Sequence, residues 1–150
     1  MPAPVSLRER ALRHLARRDH SRVELARKLA AHGDSEEIEA VIERMGELGL
    51  QSDPRYAEAF VRSRASRMGA SRLRRELQQR GIDSELIAST LAEAELEPET
   101  ERALGVLRSR FQQPPADARE WARQARFLQA RGFAPDLIRK LLKEAYDETA

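Results

Sequence analysis

The chain contains no cysteine, which excludes a disulfide scaffold, a thiolate zinc site and a thiol nucleophile. Aromatic residues make up only 5%, too few to expect a row of exposed rings on which bases stack. No apolar run approaches the ~18 residues that span a bilayer, and the opening MPAPVSLRER lacks a signal-peptide core. A soluble cytoplasmic protein with no membrane partner is therefore expected. Histidine occurs only at positions 14, 20 and 32, and no two are three or four apart, so none pair as metal ligands on a helix face. The HExxH, GxSxG, Walker A and GxGxxG patterns are all missing. Carboxylates are plentiful, but nothing selects a catalytic pair among them. The expectation is no catalytic residue, no metal, no cofactor and no small-molecule substrate. His14 and His20, near Asp19, read as surface residues by a helix end. Strand signals are missing as well: no β-branched run alternates with polar residues.

What the 150 residues do contain is helical periodicity, with apolar positions three and four apart between glycines and prolines. The fold class is all-α. Ser6 with Glu9, Ser21 with Glu24 and Asp117 with Glu120 have capping-box spacing. Pro54 and Pro135 suit a first helical turn. Gly33, Gly49, Gly69, Gly81 and Gly132 each follow an amphipathic stretch, where glycine takes a left-handed conformation. These signals predict helices over 6–18, 21–32, 35–48, 54–68, 71–80, 84–95, 98–111, 117–131 and 135–146.

The nine segments group in threes. With Gly33, Gly81 and Gly132 aligned, Leu29, Leu77 and Leu128 stand four residues before each. Leu25 and Leu73 stand eight before, where the third copy has Gln124. After the glycine, Ile87 and Leu91 match Ile138 and Leu142, and Ile38 and Ile42 fit with one residue lost. The spacing predicts three tandem, helix-turn-helix-like three-helix repeats over 1–49, 50–97 and 98–150. A unit this small is marginal alone, and stacked units share apolar faces, so an elongated, curved rod is expected. Such a shape suits an extended partner.

Charge follows the same period. Residues 62–80 hold seven bases and one acid, and 81–101 hold seven acids and no base. The first two helices of each repeat are basic and the third is acidic or near neutral, which implies a basic stripe and an acidic stripe. Of 27 basic residues all but Lys28, Lys140 and Lys143 are arginine, the side chain whose planar fork suits carboxylate and phosphate. On a helical wheel Leu73 and Leu77 define the buried face. Arg75 then points away from it, with Arg72 beside it. Arg62 lies opposite Tyr56 and Phe60, and Arg64 and Arg67 lie nearer the core edge. With one acid among seven bases, these side chains want an external anionic partner. The candidate partner-binding residues are Arg17, Arg18 and Arg22 in the first repeat, Arg62, Arg64, Arg67, Arg72 and Arg75 in the second, and Arg126 and Arg131 in the third. Tyr56, Phe60, Phe111, Trp121, Phe127 and Phe133 read as core.

The residues also carry a family resemblance. ALRHLARRDHSRVELARKL, then GLQSDPRYAEAFVRSRASRMGASRLRRELQQRGID, then RFLQARGF resemble the RecX family, regulators of the RecA recombinase. The most specific parts are Asp53, Tyr56, Ala57, Phe60, Val61, Arg62 and Arg64, then Glu76, Leu77, Gly81 and Ile82, then Arg126 to Leu128 with Arg131 to Phe133. Gln51 and Ser52 depart from the Leu-Asp pair that commonly follows this Gly-Leu. The resemblance implies three tandem three-helix units that bind RecA protein and lie in the groove of the RecA–DNA filament. It implies restraint of strand exchange, ATP hydrolysis and coprotease activity, with weak DNA binding independent of sequence. A helix-turn-helix transcriptional regulator is the alternative from a different class, and an adaptor for a protease or chaperone is a third. Against the regulator, no dimerisation segment and no concentrated reading set of Asn, Gln and Arg is present.

Overall fold

The computed structural model describes residues 3–149, those from 145 on by backbone alone. Nine helices are present among the described residues: α1 (Leu7–Arg17), α2 (Arg22–Leu29), α3 (Ser35–Glu47), α4 (Asp53–Arg64), α5 (Ala70–Gln79), α6 (Ser84–Glu93), α7 (Glu99–Arg110), α8 (Ala118–Ala130) and α9 (Pro135–Thr149). No strand is present among these residues. The fold is the all-α repeat that the spacing predicts.

Local chemistry explains the starts. Ser6, Ser21, Asp34 and Asp117 accept from the backbone amides of Glu9, Glu24, Glu37 and Glu120. At Ser21 and Asp34 the glutamate reaches back to complete the box, satisfying amides that the helix itself leaves unbonded. The Asp34–Glu37 box, not among the sequence expectations, has the same spacing as the others. Helix α4 begins one residue before Pro54, because the Ser52 hydroxyl accepts from the Arg55 amide at 3.2 Å. That frees Asp53, whose carboxylate accepts from the Arg22 amide at 2.8 Å and from Gln51 at 2.9 Å. Gln51 is itself buried.

The chain forms two compact units. One gathers the residues up to Ala59 with Leu77–Thr90; the other gathers Phe60–Glu76 with the residues from Leu91 onward. In the first unit α1, α2 and α3 pack on one another around Ala11, Leu25, Leu29, Ile38, Ile42 and Met45. In the second, α7, α8 and α9 do the same around Ala103, Val106, Leu107, Leu128, Phe133, Ile138, Leu141 and Leu142. Leu29, Leu77 and Leu128, the repeat-defining leucines, are all fully buried.

A joint of one design occurs in each unit. In the first, the Ser21 hydroxyl donates to the Arg80 carbonyl at 2.6 Å and Arg27 donates to the Gln79 carbonyl at 3.2 Å. In the second, the Gly69 amide donates to the Arg131 carbonyl at 2.7 Å and Arg72 donates to the Ala130 carbonyl at 3.2 Å. Each time, donors on one second helix or just before it satisfy the last carbonyls of the next second helix. Each time, a glycine with positive φ marks the contact. A Cβ on Gly81 would lie 2.2 Å from Val23, and one on Gly132 would lie 2.3 Å from Arg72, so no side chain fits.

The left-handed conformation expected at five glycines occurs at three: Gly49, Gly81 and Gly132. Gly69 is used differently. An added Cβ there would meet the Gly132 carbonyl oxygen at 2.3 Å, so its role is close backbone approach rather than a turn. Gly33 lies past an α2 that stops at Leu29, with Ala30 as an ordinary right-handed cap.

His20 corrects the surface reading. Its side chain is buried, its Nδ1 lies 3.0 Å from the Arg18 carbonyl, and its ring meets His14 edge-on at 5.7 Å. Burial pushes both imidazoles below their ordinary value of 6.5. The signal was weak because the histidine lies between two helices, where periodicity gives no face.

Two predictions follow from this packing. Leu77→Ala should cost ~2–5 kcal/mol of stability, whereas Arg75→Ala, exposed on α5, should stay within about ±0.5 kcal/mol; denaturant midpoints of the two variants check both. The second concerns pH. The unfolded chain takes up protons at imidazoles that the folded chain keeps neutral, so stability falls as pH drops below the ordinary histidine value. Chemical denaturation between pH ~7.5 and ~5.5 should show that fall, and His20→Gln should flatten it.

Candidate partner-binding surface

The ten candidate arginines divide by what they already touch. Two are engaged within the first unit. Arg22 makes ion pairs with Glu39 and Glu43 of α3, at 3.2 and 3.3 Å, and those two carboxylates hold its guanidinium above its ordinary pKa against the opposing pull of burial. Arg18 pairs with Glu24 at 3.4 Å. Burial alone would raise that carboxyl, but donation from the Ser21 amide, the Tyr56 hydroxyl and Arg18 brings it below the ordinary value. Arg17 is exposed at the end of α1. The separate basic and acidic stripes expected from the charge pattern therefore do not hold in the first repeat: Arg22 of the basic second helix bonds directly to the acidic third.

Arg72 also departs from expectation. It is half-buried, bonded to the Ala130 carbonyl, and 3.8 Å from Glu76. Its Cβ occupies the space that Gly132 leaves open. The wheel set it beside Arg75 on the solvent side, but it belongs to the joint, a long-range contact that periodicity within one helix does not reveal. Arg64 lies over the Phe60 ring at 4.2 Å, the core edge where the wheel put it.

Arg62, Arg67 and Arg75 remain. All three are exposed, and their guanidinium groups make no ion pair or hydrogen bond among the described residues. Free arginines on one unit are the clearest invitation to an anionic partner. Their helices are held by a fourth arginine that sequence reasoning missed. Arg102 donates to the carbonyls of Ala65 and Met68 at 2.8 and 2.7 Å, bonding carbonyls just past the end of α4. Glu99 accepts from the Ala70 amide at 3.1 Å, at the start of α5. Burial holds the Arg102 guanidinium below its ordinary pKa.

In the third repeat Arg126 is exposed on α8, lining a shallow recess with Asp117, Arg119, Glu120 and Arg123. Arg131 lies over the Phe127 ring at 5.1 Å. Among the aromatics read as core, Tyr56, Phe60 and Phe133 are buried. Phe111, Trp121 and Phe127 instead border the core of their unit, only partly covered. Gln124, which breaks the apolar register, is buried and donates to the Gln113 carbonyl at 3.1 Å.

Among the described residues no cluster of three histidine or carboxylate side chains could hold a metal ion, and no helix is long and apolar enough to cross a membrane.

Known proteins share this sequence over most of its length. The family descriptions "RecX, first three-helix domain", "RecX, second three-helix domain" and "RecX, third three-helix domain" match residues 8–45, 52–91 and 97–142. Regulatory protein RecX of Leptothrix cholodnii is 49% identical, with 96% of this chain and 92% of that protein covered. Regulatory protein RecX of Neisseria meningitidis serogroup C is 45% identical, with coverage of 95% and 93%. The crystal structure of RecX from Lactobacillus salivarius superposes with a TM-score of 0.74 at 22% identity, over 93% of this chain and 94% of that one. The three matched repeats and the near-full-length relatives show that the chain belongs to the RecX family of regulatory proteins.

Proposed function

We propose that this protein is a non-catalytic cytoplasmic regulator that binds the RecA recombinase and its DNA filament and restrains strand exchange, ATP hydrolysis and coprotease activity. Family membership supports the regulatory role, and the resemblance noted above supplies RecA as the partner. The observation that carries the contact surface is the set of unpaired, exposed arginines Arg62, Arg67 and Arg75. Arginines already committed to internal carboxylates or carbonyls have fewer donors left for a partner; these three have no such commitment among the described residues. They meet acidic protein surface or DNA phosphate as the unit docks, and the obstruction limits access of the incoming duplex. The partner set drawn from the sequence narrows accordingly: Arg22 and Arg72 act through the fold, and Arg62, Arg67 and Arg75 act on the partner.

The test is RecA-promoted strand exchange. Arg62→Glu, Arg67→Glu and Arg75→Glu combined should relieve inhibition by about tenfold or more in required regulator concentration, with helicity by circular dichroism unchanged, since reversing exposed charges leaves the core intact. Arg22→Glu should lower stability as well, because it sets a new acid against Glu39 and Glu43. Inhibition by the folded triple variant equal to that of the parent would remove these arginines from the working surface. DNA contact through phosphates predicts affinity that falls steeply with salt and differs little between unrelated duplexes; a ~10³-fold preference for one site would instead support a transcriptional regulator.

A further inference from the structure

We propose that Phe111 and Phe127, with Arg110, Arg123 and Arg131 laid over their rings, form a platform on which unpaired bases of single-stranded nucleic acid stack. The rings meet edge to face at 5.3 Å and 83°. Arg110 and Arg123 lie 5.6 and 5.4 Å from the centre of Phe111, and Arg131 lies 5.1 Å from that of Phe127. Three guanidiniums thus converge on two adjoining aromatics.

An arginine stem over a ring also serves simply to cover apolar surface. Three further observations carry the assignment beyond that. Both rings stay partly exposed at the border of the core rather than within it. Arg110 and Arg131 make no ion pair among the described residues, so their charge is not spent internally. And Phe111 also walls a hollow of about 350 Å³, open to solvent, whose mixed lining includes Leu104, Leu107, Leu141, Arg108, Gln124 and Glu144. The hollow is roomy enough for a planar base. Gln124, one of its lining residues, has a buried Oε1 without a hydrogen-bond partner among the described residues.

The chemistry selects the ligand. Arg108, Arg110, Arg123 and Arg131 stand among three carboxylates, Glu120, which pairs with Arg123 at 3.6 Å, Asp117 beside it, and Glu144 at the hollow. The balance is positive and suits phosphate. An acidic protein segment would use the charge but not the flat faces. Nucleic acid uses both, because every base has a π-face and both aromatic rings and guanidinium planes accept one. Bases locked in a duplex do not present those faces, so the platform takes single strands. The inference concerns nucleic acid alone and does not rest on the recombinase reading.

Fluorescence anisotropy tests it with no recombinase present. The probes are a labelled oligothymidylate of about 20 nucleotides, an abasic backbone of equal length and charge, and a duplex. The parent should bind the oligothymidylate about tenfold or more tightly than the abasic strand, the scale of one stacked base. Phe111→Leu with Phe127→Leu keeps the apolar cover and should erase that preference while leaving the salt dependence. Arg110→Lys with Arg131→Lys keeps charge, loses the planar groups, and should reduce the preference too. Should the leucine variant lose helicity by circular dichroism, the lysine variant decides the matter. Equal binding of abasic and thymidylate strands by the parent, no binding of either, stronger binding of the duplex, or an undiminished preference in the folded variants would each overturn the platform. Strand-exchange inhibition can fail or hold independently of every one of these results.

Discussion

The last carbonyls of a helix have no donors within it, and burying them unpaired is costly. Here the second helices of the middle and third repeats solve that problem with donors from the repeat before. Ser21 and Arg27 bond the end of α5, and Gly69 and Arg72 bond the end of α8. The requirement fixes much else. It demands glycine at positions 81 and 132, because the partner helix lies within 2.3 Å of where a Cβ would be. It commits Arg72 to the joint. It also sets the phase of both second helices, and with it the burial of Leu77 and Leu128.

The charge pattern then reads as two populations. One arginine population builds the fold: Arg22 against the α3 glutamates, Arg72 at the joint, and Arg102 bonding the carbonyls of Ala65 and Met68. The Arg102 bonds, from a charged donor to part-buried carbonyls, are the strongest of these, whereas the Arg22 pairs lie at the surface and contribute less. The other population is exposed and unpaired. Counting bases along the chain cannot separate the two, since both occur within 62–80. Only the partner on a distant helix distinguishes Arg72 from Arg75.

The sequence made the helices and their grouping legible because those depend on local information. Caps, glycine stops and leucine spacing all act within a few residues, and the observed helices agree with them to within a few positions, α4 stopping four residues early. What it obscured depends on contacts far along the chain. His20 sits between helices, so no periodic face marked it as buried. Gly69 looked like a helix stop, yet its constraint comes from Gly132, distant in sequence. Gln124 looked like a break in the apolar register; it is buried all the same, because an amide can be kept inside when a carbonyl such as that of Gln113 is within reach. Phe111 and Phe127 illustrate the reverse error. Apolar spacing assigns a ring to the core but does not say how completely it is covered.

The joints have an evolutionary corollary. Every acceptor in them is a main-chain carbonyl, and one donor is a main-chain amide. Main-chain acceptors are present whatever the side chain, so substitution on the accepting helices leaves them in place. Mutation is constrained at the side-chain donors Ser21, Arg27 and Arg72 and where the backbone itself must come close. A lineage can therefore exchange most of its surface and much of its helix composition while successive repeats keep the same way of joining. Retention of the fold by a chain sharing 22% of its residues, at a TM-score of 0.74, is the divergence such an attachment permits.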